Sequence, residues 1–268
     1  MHSATMTDGT NIVYARSTAN QPVVGRIALL HSLAMDHTFW NPVIAALPTN
    51  VDLIAIDARG HGRSDKPHGP YTVELFADDL AEVCAHAGWS SAVMAGASMG
   101  GSVTLAFAAR HPQMVDGLAL IDTTACYGDG AIIAWQERGQ KALDGGMSAL
   151  TEFQEQRWFS DAFRQASPEL VSESVAVFLN NDPAPYMETC RMLGNCDTRA
   201  ALPTFNFPVA IVVGEEDYAT PVAMAEAMHA AIAGSTLDIL AKVRHYTPVE
   251  APKDIARAIE TVLQRATT

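Results

Sequence analysis

Five short apolar runs without polar alternation constrain this chain more than any other feature: Ile27–Leu30, Leu53–Ile56, Ala92–Ala95, Leu118–Ile121 and Val209–Val213. Strands covered on both faces read this way, because neither face can carry a polar stripe. A sixth run, Leu237–Leu240, alternates and reads as a less buried strand. Helical patterns lie between them. In Val73–Cys84 the residues Val73, Phe76, Ala77, Leu80, Val83 and Cys84 form one stripe at the helical period, with Thr72 placed as N-cap. Ser102–Arg110, Val222–Ala233 and Ile255–Arg265 are further helical patterns, the first stopped before Pro112 and the second by Gly234. Strand alternating with helix predicts βαβ units and a mainly parallel sheet with helices on both faces, an α/β fold.

The alternation fails between Ala125 and Thr204, where the patterns are helical only: Ala131–Leu143, Ala149–Ser160, Pro168–Leu179 and Pro185–Leu193. This stretch is read as an inserted helical cap over residues 126–203, with 1–125 and 204–268 forming the core. An insertion that follows a strand begins at the sheet's carboxyl edge, where open α/β sheets bind ligands.

The 268 residues carry 17 Lys and Arg against 30 Asp and Glu, a formal charge of −13. That field repels phosphate backbones and anionic lipid, so nucleic acid and membrane are not expected partners. Cys84, Cys126, Cys190 and Cys196 show no C-x-x-C pairing, and Met1–Gly9 lacks a basic and apolar leader, so a cytoplasmic protein with free thiols is expected. Homo-oligomerisation is left open. No nucleotide loop and no H-E-x-x-H or H-x-H motif occurs, and neither a cofactor nor a metal is expected.

The chemistry concentrates at strand ends. Gly96-Ala97-Ser98-Met99-Gly100 follows one strand and opens a helix, the setting in which a G-x-S-x-G serine protrudes from a sharp turn. Ser98 is the expected nucleophile and the Met99 N–H one oxyanion donor. Such a serine is followed in the chain by its acid and then its base. Of nine histidines only His111, His229 and His245 come after Ser98. The first two fall at a helix end and inside a helix, whereas His245 lies in the loop after the last predicted strand, where a base belongs. Asp217, in Gly214-Glu215-Glu216-Asp217 after Val213, is the expected acid, with Glu216 and Glu215 as substitutes. The loop after Leu30 should supply the second oxyanion donor, assigned to Leu33, while His31 shapes that loop. Asp57–Ser64, with its closely spaced glycines, reads as structural rather than catalytic.

With these motifs, the stretch DARGHGRSDK from Asp57, GEEDYATP from Gly214, and His245, Glu250 and Pro252 in H-x4-E-x-P, nearly the whole chain resembles the α/β-hydrolase superfamily. The text of the inserted segment, with Trp135–Arg138, Gly146-Met147, Arg157–Phe159 and Asp182–Tyr186, resembles the 3-oxoadipate enol-lactonases. That resemblance implies a small lactone or ester bearing a carboxylate. An acidic protein binding such a substrate needs a fixed cation, and Arg138, sharing a helix face with Trp135, is the candidate against a plain solvated face. Trp135 and Trp158 are read as pocket walls. The alternatives are a general carboxylesterase, a perhydrolase, or a ligand receptor of the same fold that turns over poorly.

Overall fold

The computed structural model describes residues 1–19 and 23–267. Its spine is an eight-stranded sheet: β1 (His2–Thr5), β2 (Asn11–Ser17), β3 (Gly25–Leu30), β4 (Val51–Ile56), β5 (Ala92–Ala97), β6 (Val115–Ile121), β7 (Val209–Gly214) and β8 (Thr236–Leu240). Across the sheet the order is β1-β2-β4-β3-β5-β6-β7-β8. β1 pairs antiparallel with β2 and β2 with β4, and β3 to β8 run parallel. All six predicted strands are present. The run Ile27–Leu30 belongs to the third strand rather than the first, because the N-terminal hairpin escapes the pattern. In β2 only Ile12 and Tyr14 are buried among half-exposed neighbours, as suits an antiparallel strand near the sheet's edge.

Ahead of β7 the helices are α1 (Asn41–Ala46), α2 (Val73–His86), α3 (Met99–Arg110), α4 (Ala131–Gly145), α5 (Thr151–Trp158), α6 (Asp161–Ala166), α7 (Pro168–Leu179) and α8 (Pro183–Gly194). After it come α9 (Val222–Ala231), α10 (Thr247–Glu250) and α11 (Pro252–Ala266). α2 packs on α3 and α1 on α11, and both pairs lean on the central strands. Ile27, Leu29, Val93, Leu118, Leu120 and Ile211 form the buried centre. Thr72 caps α2 as expected, its hydroxyl accepting from the Leu75 N–H at 3.1 Å. The predicted helix 149–160 is two pieces. A 3-10 turn, Met147–Leu150, feeds α5, the chain turns extended at Phe159, and the Ser160 hydroxyl caps α6. Between β6 and β7 the described residues hold helices α4 to α8 and one isolated bridge, Cys126 to Asp197. Among the described residues no helix is long and apolar enough to cross a membrane.

The loop Asp57–Ser64 is structural, as read. The buried Asp57 carboxylate accepts from the His37 N–H at 2.7 Å, His37 Nδ1 at 2.7 Å and the Arg63 N–H at 2.9 Å. His31 shapes the neighbouring loop, its Nε2 accepting from the Ala58 N–H at 3.0 Å. Arg59 is buried and grips Asp79 with two parallel bonds, Nε to Oδ2 at 2.8 Å and Nη2 to Oδ1 at 2.6 Å. Its Nη1 reaches Asp8 and the Thr10 hydroxyl at 2.7 and 2.8 Å. Removing one partner of such a pair strands a charge inside the protein. Asp79→Ala is therefore expected to lower unfolding free energy by about 3 kcal/mol, read from urea denaturation. A loss below about 1 kcal/mol would mean that Asp8 alone suffices to hold Arg59.

Candidate active site

The chain makes its sharpest turn where β5 meets α3. Ser98 sits at φ 52° and ψ −114°, a left-handed backbone that costs a side-chain-bearing residue about 1–3 kcal/mol. The flanking glycines make the turn possible. A Cβ on Gly96 would lie 2.3 Å from the Gly100 carbonyl oxygen, and one on Gly100 would lie 2.1 Å from that of Leu30. The turn is pinned by the Ser98 N–H, which donates to the Ile121 carbonyl at 2.9 Å, and by the Thr123 hydroxyl, which donates to the Ser98 carbonyl at 2.7 Å. α3 thus begins at Met99, three residues ahead of the predicted start, and the Met99 N–H has no acceptor inside its own helix.

Ser98, His245 and Asp217 come from three strand ends and meet in one buried line. Ser98 Oγ lies 2.9 Å from His245 Nε2, and His245 Nδ1 lies 2.8 Å from Asp217 Oδ2. The Asp217 carboxylate is also bonded by the Ala219 N–H at 2.7 Å, the Thr220 N–H at 2.9 Å and the Thr220 hydroxyl at 2.9 Å. Burial alone would raise its pKa, but His245 and these donors outweigh burial and hold it below the ordinary carboxylate value. The two substitutes lie elsewhere: Glu215 is exposed, and Glu216 faces Arg244.

A second carboxylate, one that sequence reasoning missed, braces this line. Asp122, at the end of β6 with φ 46°, is fully buried. It accepts from the Gly214 N–H at 3.2 Å, the Thr247 N–H at 3.1 Å and the Thr247 hydroxyl at 2.7 Å. It therefore ties the loop carrying Asp217 to the loop carrying His245. Burial, reinforced by the charge of Asp217, pushes its pKa well up. Arg244 ties the same loops outward, donating to the Gln156 and Phe159 carbonyls at 2.8 and 3.0 Å.

Above Ser98 opens a cavity of about 590 Å³ whose lining includes Ser32, Leu33, Ser98, His245, Trp158 and Tyr246. Trp135, Arg138 and Trp158 all line it, so the predicted binding residues share one space with Ser98 and His245. Trp158 is buried and stacks on Tyr246 at 4.7 Å between ring centres. The Arg138 guanidinium lies 4.7 Å over the Trp135 ring, and its Nε donates to the Tyr186 hydroxyl at 2.7 Å. With its amide oxygen turned inward, Gln154 accepts from Arg138 Nε at 3.1 Å and Nη2 at 2.6 Å. Gln154 and Tyr246 carry no motif in the sequence, and Tyr186 enters there only as the end of the stretch Asp182–Tyr186, 48 residues from the arginine it holds.

The sign of the Asp217 shift predicts an acid limb in stability. A carboxyl depressed by folding stabilises the native state above its unfolded value of 3.8, and that stability is lost as pH falls through the lower folded value. The thermal midpoint of the wild type should thus drop more steeply below about pH 4 than that of Asp217→Asn. Parallel midpoint curves for the two proteins would show that Asp217 is not held low.

Comparison with known proteins agrees with this architecture. The family model described as the alpha/beta hydrolase fold matches residues 25–252. A 3-oxoadipate enol-lactonase of Acinetobacter baylyi is 29% identical over 235 residues, covering 88% of this chain and 87% of its own. Among solved structures, an enol-lactonase from Burkholderia xenovorans superposes with a TM-score of 0.93 at 29% identity, covering 98% of this chain and 100% of the other. A thermophilic esterase from Thermogutta terrifontis, with malate bound, gives 0.92 at 26% identity, covering 100% of this chain and 99% of the other. The chain belongs to the α/β-hydrolase family.

Proposed function

We propose that this ester hydrolase opens a small, carboxylate-bearing lactone or cleaves the corresponding ester through an acyl-enzyme on Ser98. The observation that carries this reading is the hydrogen-bonded line Ser98–His245–Asp217 at the floor of a cavity that also holds the Arg138 guanidinium. In the first half-reaction His245 Nε2 takes the Ser98 proton as Oγ bonds to the substrate carbonyl carbon. Asp217 keeps the imidazole in the tautomer with its proton on Nδ1 and stabilises the imidazolium. The oxyanion is met by the Met99 and Leu33 N–H groups. Collapse of this intermediate breaks the ester C–O bond, and the leaving oxygen takes the proton from His245. In the second half-reaction water, deprotonated by His245, attacks the acyl carbon and returns Ser98 with its proton. In a lactone the acid and the alcohol so formed remain one molecule.

Helices α4 to α8 act in this reading as the cap over residues 126–203, with Trp135 and Trp158 as pocket walls, and the protein works in the cytoplasm. Arg138 reads the substrate carboxylate. The relatives that act on an enol-lactone support the lactone, and the esterase among the solved structures favours a second reading, a carboxylesterase with the same triad.

Two comparisons test the proposal. Ser98→Ala should reduce kcat roughly 10⁴-fold or more, as loss of a cooperating triad member does. A variant retaining a tenth or so of the rate would remove Ser98 as nucleophile. Arg138→Ala should cost about 30- to 1000-fold in kcat/KM for a carboxylate-bearing substrate and much less for its neutral methyl ester. Equal losses on both would leave the carboxylesterase reading and remove the anionic lactone.

A further inference from the structure

Leu33 stands in a turn that two distant parts of the chain hold. The turn runs Ser32-Leu33-Ala34-Met35 and is closed by the Met35 N–H, which donates to the Ser32 carbonyl at 3.1 Å. Ala34, its third residue, has φ 59° and is fully buried. That left-handed backbone suits glycine, so a residue with a side chain stays there only where its surroundings hold it. The near end of the turn is fixed to α3, where the Gly100 N–H donates to the His31 carbonyl at 3.1 Å. The far end is held from the helices between β6 and β7. Asn181, at the junction of α7 and α8, donates through Nδ2 to the Ala34 carbonyl at 2.7 Å. The same nitrogen reaches the Val177 and Phe178 carbonyls at the end of α7, at 2.9 and 3.3 Å. Phe178 in turn is buried against the Trp158 and Tyr186 rings.

These contacts form one chain of hydrogen bonds through two peptide units. A trans peptide points its N–H and its C=O in opposite directions. The peptide between Ala34 and Met35 accepts from Asn181 at its carbonyl and donates to Ser32 through its N–H. The peptide between Ser32 and Leu33 accepts that bond at its carbonyl, so its own N–H faces away from the turn. Ser32 and Leu33 both line the cavity over Ser98, and among the described residues nothing accepts from the Leu33 N–H. Each donor in such a chain polarises the next peptide and strengthens its N–H as a donor. We infer that Asn181 is a positioning residue for the oxyanion hole. Its amide stands at the head of the chain, fixes the left-handed turn, and keeps the Leu33 N–H aimed and polarised toward the oxygen of the tetrahedral intermediate. The inference rests on the proposed acyl transfer at Ser98, in which Leu33 is a donor. Asn181 touches no reacting atom, and it acts from 147 residues away in the chain, through the seating of α7 and α8 on the turn.

The test compares a ligand that forms an oxyanion with one that does not. Phenethyl trifluoromethyl ketone takes Ser98 Oγ at its carbonyl carbon. The Oγ proton passes to His245, and the carbonyl oxygen becomes the oxyanion. The alcohol obtained by reducing this ketone offers no carbonyl to attack. Dissociation constants for both are measured calorimetrically near pH 8 in the wild type, Asn181→Ala and Asn181→Asp. Aspartate keeps the size of asparagine, but its carboxylate accepts and cannot donate. Both variants should weaken the ketone about tenfold, less than the roughly 10²- to 10³-fold lost with a direct oxyanion donor, and should leave the alcohol within about twofold. Wild-type affinity for the ketone in either variant would overturn the inference. So would equal weakening of ketone and alcohol, which marks plain support of the cavity wall. The aspartate variant decides where the alanine variant does not fold. A wild type that binds the ketone no more tightly than the alcohol would show a different failure, that of acyl transfer at Ser98 itself, and would take the inference with it.

Discussion

The buried contact between His245 and Asp217 is the one on which the site depends, because it joins loops that leave different strands. Asp217 follows β7 and His245 follows β8, and these strands are neighbours in register, Gly214 opposite Leu240. Parallel pairing brings both loops to the same edge as Ser98 after β5. The last few ångströms are set by Asp122 at the end of β6, which bonds the amide of Gly214 before one loop and both donors of Thr247 after the other. Four consecutive parallel strands thus each contribute a polar end to one small volume. In a low-dielectric interior such a network is strong when every member is bonded and costly when one is not.

The same principle separates two kinds of buried charge. Around Asp57, Arg59 and Asp79 each ion meets a full set of partners, so these charges fix a loop and leave nothing over for a ligand. In the cavity the position is reversed. The Arg138 guanidinium, half-buried on the cavity wall, is held by the neutral Tyr186 and Gln154 and not by a carboxylate.

Much of this was legible in the sequence. The unbroken apolar runs are β3 to β7, and a residue buried on both faces can hardly be written otherwise. Ser98, Asp217 and His245 were legible because each follows a strand, and chain order with strand-end position leaves few candidates of each type. The glycines of the elbow speak for themselves, since a methyl group at Gly96 or Gly100 meets backbone. The hairpin β1–β2 was not legible, as a half-exposed antiparallel strand shares its composition with a loop. Asp122 was passed over because a single aspartate at a strand end has no motif, and its importance comes from Thr247, 125 residues away. The grip of Tyr186 and Gln154 on Arg138 likewise depends on how helices pack, which periodicity predicts only as faces and not as partners.

In the proposed reaction Ser98 carries the acyl group during turnover. The direct measurement is mass spectrometry of the wild type quenched in acid during the first turnover of an activated aryl ester. A single acyl adduct is expected on the peptide containing Ser98, decaying as water resolves it and absent from Ser98→Ala. Turnover without any adduct under conditions where acylation outruns hydrolysis, or an adduct on a different residue, would contradict it.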